Sequence, residues 1–189
     1  MKKIAIFASG SGTNAENIIK YFSTRQTGKV TLVLSNKREA YVHKRAQALG
    51  INSIFFDHDD FYKSGKVLRL LSDEHIDLIV LAGFLLLVPS SLIEAFRGRI
   101  INIHPALLPK YGGKGMYGDR VHKAVIENHE AESGISIHHV NDLYDEGAII
   151  FQAKCPVLPD DTPDSLASKI HALEYQHFPR VIEEVLGKI

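Results

Sequence analysis

Short runs dense in Ile, Val, Leu and Phe alternate along this chain with segments whose apolar residues recur at helical spacing. Strands buried on both faces read as near-continuous apolar runs, and each parallel crossover needs a helix, so the alternation predicts a parallel sheet covered by helices. The expected strands are Lys3–Ala8, Lys29–Ser35, Ser53–Asp57, Leu78–Ala82 and Arg99–Ile103. Helices are expected between them at Ala15–Phe22, Tyr41–Leu49 before Gly50, Phe61–His75 and Pro89–Phe96, the last with proline in its first turn. After Ile103 the pattern changes. Residues 105–118 hold two prolines and four glycines, too long a stretch to be a mere connection. A helix over Asp119–Asn128 follows, then strands over Gly134–Val140 and Ala148–Val157 joined by polar Asn141–Gly147. A last helix starts near Thr162-Pro163, with Pro179 expected to bend or divide it. The fold class expected is α/β, a doubly wound, mostly parallel, Rossmann-like sheet with some antiparallel pairing late in the chain.

At 189 residues, 45% of them hydrophobic, one domain over 1–189 is expected, with enough apolar material for a real core. The single cysteine, Cys155, excludes a disulfide-stapled scaffold and reads as inert core in a strand. Only Ile4–Ser9 precede Gly10, too short for the apolar core of a signal peptide, and Leu78–Val88 is broken by Gly83 and too short to span a bilayer. A cytoplasmic protein with no membrane partner is expected. Net charge is zero, without the basicity of a nucleic-acid binder. The charge is uneven, however: residues 1–50 hold nine Lys/Arg against two Asp/Glu, a local excess of +7 that suggests either an anion site or a basic surface.

Two segments carry candidate chemistry. Ser9-Gly10-Ser11-Gly12-Thr13-Asn14 joins the first strand to the first helix, where exposed amides and the helix dipole can hold a phosphate. Thr13 and Glu16 have capping-box spacing. Taken alone, the turn reads equally well as a connection without a ligand. Ala15 stands where the third glycine of G-x-G-x-x-G would fall, and no G-x-x-x-x-G-K-[ST] occurs, so a monophosphate fits better than NAD or a nucleoside triphosphate. In Ile101-Asn102-Ile103-His104, period-two alternation puts Asn102 and His104 on one face at the end of a strand, where doubly wound sheets bind ligands. A carboxamide can donate to the oxyanion of an acyl-transfer intermediate, and an imidazole beside it can move a proton or hold charge. A carboxylate should support that imidazole, and Asp142, Asp145 and Glu146 are all candidates. Despite ten histidines, no H-E-x-x-H or C-x-x-C occurs and adjacent His138 and His139 point to opposite faces, so no metal is expected. The Gly10-Ser11-Gly12 turn lacks the full G-x-S-x-G elbow of a serine hydrolase.

Ser9–Asn14, Leu34-Ser-Asn-Lys37, Leu81-Ala-Gly-Phe84, the run from Ile101 to Tyr111 and Asp145-Glu-Gly147 together resemble the phosphoribosylglycinamide formyltransferase family, in collinear order over nearly the whole chain. The resemblance implies transfer of the formyl group of 10-formyltetrahydrofolate to glycinamide ribonucleotide in purine biosynthesis. It implies Asn102, His104 and Asp145 as the catalytic trio. Gly12, Thr13, Asn14 and Glu174, with His171 where relatives often carry Lys or Gln, would hold the ribonucleotide. Leu85, Leu86, Leu87 and Val88, with Asn102 and the loop Asn141, Asp142, Leu143, Tyr144 and Asp145, would hold the folate. The chain departs from the family at Gly112-Gly113, at Glu146-Gly147-Ala148, and at Leu86, where an arginine is common. His138 reads equally as support for the site or as a packed strand residue. Rival readings are a methionyl-tRNA formyltransferase or formyltetrahydrofolate deformylase, each expected to need a further domain, and a non-catalytic binder of a phosphorylated metabolite. Monomer and homodimer both remain open.

Overall fold

Seven strands form one sheet through the middle of the molecule in a computed structural model that describes residues 1–189. They are β1 (Lys2–Phe7), β2 (Gly28–Ser35), β3 (Asn52–Phe55), β4 (Leu78–Leu81), β5 (Ile100–His104), β6 (Glu132–His139) and β7 (Ile149–Pro156). Their spatial order is β3-β2-β1-β4-β5-β6-β7, parallel through the first five and antiparallel from β5 to β7. The expected fold class is borne out.

Strand alternation divides the core into two layers. Ile4 and Ile6 of β1 face α1 (Thr13–Phe22), α2 (Val42–Ala48), α6 (Asp119–Glu127) and α7 (Pro163–Leu186), whose Ile18, Val42, Val125 and Phe178 share their cluster. Ala5 and Phe7 face α3 (His58–Tyr62), α4 (Lys66–Asp73) and α5 (Ser90–Ala95), joining Phe61, Leu71 and Leu92. All four residues of β4 are buried between the two layers.

Two local expectations fail, and one of the two outcomes expected at Pro179 does not occur, each for an identifiable reason. The helix expected over Phe61–His75 is two helices, because Gly65 at φ 66° caps α4 in the left-handed region, while an Asp57–Asp60 capping box starts α3 earlier. Thr13 is not an N-cap: Gly12 holds that place at φ 75°, and Glu16 instead pairs with Lys20 and Arg45. Pro179 does not divide α7, a single helix of 24 residues. Proline deprives the carbonyl four residues before it of a donor, and Asn17 of α1 supplies one, its Nδ2 donating to the Tyr175 carbonyl at 3.0 Å.

The chain leaves β1 toward β2 on one side and later returns to β4 on the other, so the C-terminal ends of β1 and β4 flank the topological switch point, where such sheets open a crevice. The loops there are tied together: Ser9 N donates to the Gly83 carbonyl at 3.0 Å and Leu85 N to Ser9 Oγ at 3.1 Å.

Candidate active site

A cleft of about 610 Å³ opens at this switch point. The turn Ser9–Asn14 closes one end, Leu81–Val88 forms an apolar wall, and Asn102 and His104 at the end of β5 reach the cleft with His138 and Asp145. A volume of this size suits a small-molecule site.

Asp145 is the carboxylate that meets His104. Its Oδ2 lies 3.4 Å from His104 Nδ1 and accepts from Gly113 N at 3.0 Å, while its Oδ1 accepts from Asn102 Nδ2 at 3.3 Å. Asn102 Nδ2 also donates to His138 Nε2 at 3.1 Å, and His138 Nδ1 donates to the His139 carbonyl at 2.9 Å, which fixes the His138 tautomer. His104 Nε2 donates to the Tyr111 carbonyl at 2.7 Å. With that nitrogen committed as a donor, a proton arriving on His104 goes to Nδ1 and creates a charged pair with Asp145. Tyr111 and Asp145, the two residues that hold His104, both adopt φ 57°. Such left-handed backbone costs a non-glycine residue about 1 kcal/mol or more and persists only where its surroundings over-determine it. Gly112 lets its loop pack closely here, because a Cβ on it would lie 2.6 Å from Leu108 Cδ2 and 3.3 Å from Asp145 Cβ. Asp142 and Glu146 are exposed and lie outside the cleft lining; Asp142 Oδ1 instead accepts from Ser90 Oγ at 2.7 Å. Asn141 is outside it too, its Oδ1 accepting from Leu143 N at 3.1 Å to shape the loop.

Burial pushes the His104 imidazole below its usual range, opposed by the charge of Asp145 and the Tyr111 carbonyl. Burial would raise Asp145, but the charge of His104 and the Gly113 amide hold its carboxyl below the ordinary value. His122, His139 and His177 are also lowered, chiefly by burial, whereas His171 is raised by its bond to Glu174. A histidine lowered on folding binds its proton more readily in the unfolded chain, so its contribution to stability is lost as pH falls below about 6.5. His171 acts in the opposite sense, and Asp145 adds to the loss only at lower pH. The melting temperature, followed by calorimetry, is therefore expected to fall between about pH 7.5 and about pH 5.5. A constant or rising value would contradict this balance.

At the other end of the cleft, Asn14 Nδ2 donates to Glu174 Oε2 at 2.9 Å, and His171 Nδ1 bonds the same oxygen at 3.0 Å. Glu174 is buried and His171 half exposed. Gly12, Thr13, Asn14, His171 and Glu174 all line the cleft, as does Lys37. The apolar wall is braced from behind by Phe84, whose ring lies 5.3 Å from Phe7 and 5.7 Å from Phe61, and Tyr62 Oη donates to the Leu87 carbonyl at 2.7 Å. Leu85, Leu86, Leu87 and Val88 lie on that wall, and Leu143 and Tyr144 add to the lining from the loop after β6.

Two groups at the cleft escaped the sequence. His122 lines the cleft from the inner face of α6, where one buried histidine among apolar residues has no distinguishing pattern. The Tyr111 carbonyl is a backbone group that every residue possesses.

The formyl transferase family profile matches residues 2–182. The chain belongs to the formyl transferase family. It is 39% identical over 194 residues to "Phosphoribosylglycinamide formyltransferase, chloroplastic" of Arabidopsis thaliana, covering 100% of this chain and 65% of that one. It is 40% identical over 190 residues to "Trifunctional purine biosynthetic protein adenosine-3" of Drosophila melanogaster, covering 96% of this chain but 14% of that one. The chain thus spans less than two thirds of either curated relative. Among solved structures, a phosphoribosylglycinamide formyltransferase from Bacillus halodurans superposes with a TM-score of 0.88 at 36% identity, over 99% of this chain and 96% of that one. The formyl-transferase resemblance carried by Ser9–Asn14, Leu34–Lys37, Leu81–Phe84, Ile101–Tyr111 and Asp145–Gly147 is thereby borne out for the family.

Proposed function

We propose that this formyl transferase moves the formyl group of 10-formyltetrahydrofolate onto the amino group of glycinamide ribonucleotide, giving formylglycinamide ribonucleotide and tetrahydrofolate in purine biosynthesis. One observation carries the reading: a carboxamide, a buried imidazole and a carboxylate converge between an apolar wall and a glycine-rich helix start. The relatives' names point the same way.

The residues present suit both substrates. The wall Leu85–Val88, with Leu143 and Tyr144, offers apolar surface for a pterin ring, and Leu86 extends that surface where an arginine is common in the family. Gly12, Thr13 and Asn14 suit the phosphate, since amides at a helix start attract anions, and buried Asn14 Oδ1 has no protein partner to satisfy it.

The folate supplies an activated formyl carbon. The substrate nitrogen forms a bond to that carbon, the bond to the folate nitrogen breaks, and the proton shed by the amine ends on the folate nitrogen. Asn102 donates to the oxygen that gains negative charge. Both its N–H bonds are engaged, so that oxygen competes with Asp145 at 3.3 Å, the longer of the two contacts. His104, protonated at Nδ1, places positive charge beside the same oxygen, and Asp145 stabilises that imidazolium. No group of three His, Cys, Asp or Glu is placed to hold a metal ion, and none of these steps calls for one. No helix is long and apolar enough to cross a membrane; a single cytoplasmic domain, as monomer or homodimer, completes the reading.

The deciding assay supplies 10-formyltetrahydrofolate and glycinamide ribonucleotide without added metal. Formylated ribonucleotide and tetrahydrofolate should form in equal amounts. Folate consumed at the same rate without the ribonucleotide would establish a deformylase instead.

A further inference from the structure

Five buried polar side-chain atoms have no hydrogen-bond partner, and only two of them, Asn14 Oδ1 and His122 Nδ1, belong to residues lining the cleft. Unpaired buried polar atoms are costly enough that each asks for a reason. His122 is 2% exposed, and its helix neighbours Val121 and Val125 pack into the core, so the ring is held in place from behind. Burial lowers the His122 imidazole below its usual range, His171 and His104 adding to that effect and Glu174 and Asp119 opposing it. The ring lines the same cleft as the Glu174 cluster and as Asn102 and His104.

We propose that His122 is a positioning residue that exchanges a hydrogen bond with a sugar hydroxyl of the ribonucleotide. This rests on the formyl-transfer reading above. In that substrate the sugar lies between the phosphate, assigned to the Gly12–Asn14 turn, and the amine, assigned to Asn102 and His104. The unpartnered Nδ1 of His122 can donate or accept according to the tautomer, and a hydroxyl can meet it in either role. Glu174, an acceptor only, can pair with the second hydroxyl's hydrogen.

The test uses the full chain, His122→Leu and His122→Asn, with glycinamide ribonucleotide and its 2′-deoxy and 3′-deoxy analogues. His122→Leu should raise KM for the ribonucleotide roughly tenfold, the effect of one lost hydrogen bond. The folate KM should stay unchanged and kcat should stay within about threefold. Its thermal midpoint should equal or exceed that of the wild type, because the substitution removes an unpaired polar atom. His122→Asn should recover part of the loss. One deoxy analogue should cost the wild type the same factor and cost His122→Leu nothing more. An unchanged KM, a lowered midpoint without a change in KM, or losses that multiply for both analogues would overturn the proposal. A wild type that binds no ribonucleotide at all would instead overturn the formyl-transfer reading, and this proposal with it.

Discussion

Asp145→Asn is expected to lower kcat/KM by about 10²- to 10⁴-fold, the range for loss of a positioned acid–base group, while the chain still folds. The carboxylate accepts from Gly113 N and Asn102 Nδ2 and faces Nδ1 of a histidine only 3% exposed. An amide oxygen can keep one of those donors, so the loop after β6 retains an anchor. It cannot stabilise an imidazolium. Without that charge the main influence opposing burial at His104 is lost, which disfavours the positive charge beside the developing oxyanion. His104→Ala removes the same charge by another route, so the double variant should be little worse than the poorer single one. Steady-state kinetics with each substrate varied in turn checks both statements. A loss below tenfold in Asp145→Asn, or fully multiplicative losses in the double variant, would show that the two residues do not act as a unit.

Gly12→Ala should destabilise the protein by about 2–4 kcal/mol, combining left-handed backbone strain with overpacking. Gly12 sits at φ 75°, and a Cβ there would lie 2.4 Å from Val42 Cγ2 and 2.8 Å from Val42 Cα. The second atom is backbone, so relief requires α2 itself to move. That helix is stitched to the turn, with Val42 N donating to the Gly10 carbonyl at 3.2 Å and Arg45 Nε to the Ser11 carbonyl at 2.9 Å. Pushing α2 outward therefore also displaces the amides proposed to hold the phosphate. A fall of about 5–15 °C in thermal midpoint is expected for a chain of this size, together with a KM for the ribonucleotide that rises more than the KM for folate. Gly10→Ala, whose Cβ would meet nothing within 4 Å, is the control and should change the midpoint little. Equal midpoints for the two variants would refute the close approach of α2 as the reason for glycine at position 12.

The charge asymmetry of the first 50 residues turns out to say little about the site. Of its nine basic residues only Lys37 lines the cleft. Lys20 and Arg45 pair with Glu16, Lys2 with Asp77, and Lys3 donates to the Glu74 carbonyl, while Arg25 and Arg38 lie over the rings of Tyr21 and Phe55. A charge count along the chain cannot separate a cation aimed into a cleft from one satisfied on the outer surface. The start of the first helix depends on distant residues in a similar way. The Thr13–Glu16 spacing matched a capping box, but Arg45, which lies 29 residues from Glu16, captures the glutamate.

Local rules were enough for much of the rest. Apolar runs of strand length separated by helical periods foretold a doubly wound sheet, because burial on both faces writes itself into consecutive residues. Period-two geometry put Asn102 and His104 on one face, since a strand offers its side chains no other arrangement. The choice among Asp142, Asp145 and Glu146 was a different matter. All three occupy one polar loop, and what separates them is a left-handed residue at 145, a Gly113 amide 32 residues away and a His104 ring from another strand. The Asn17 donor that serves the Tyr175 carbonyl, 158 residues along, and the unpaired His122 ring were equally hidden. Neighbouring residues obey the stereochemistry of their own strand or helix, which sequence displays directly. Hydrogen bonds between distant segments exist only once the sheet has brought those segments together.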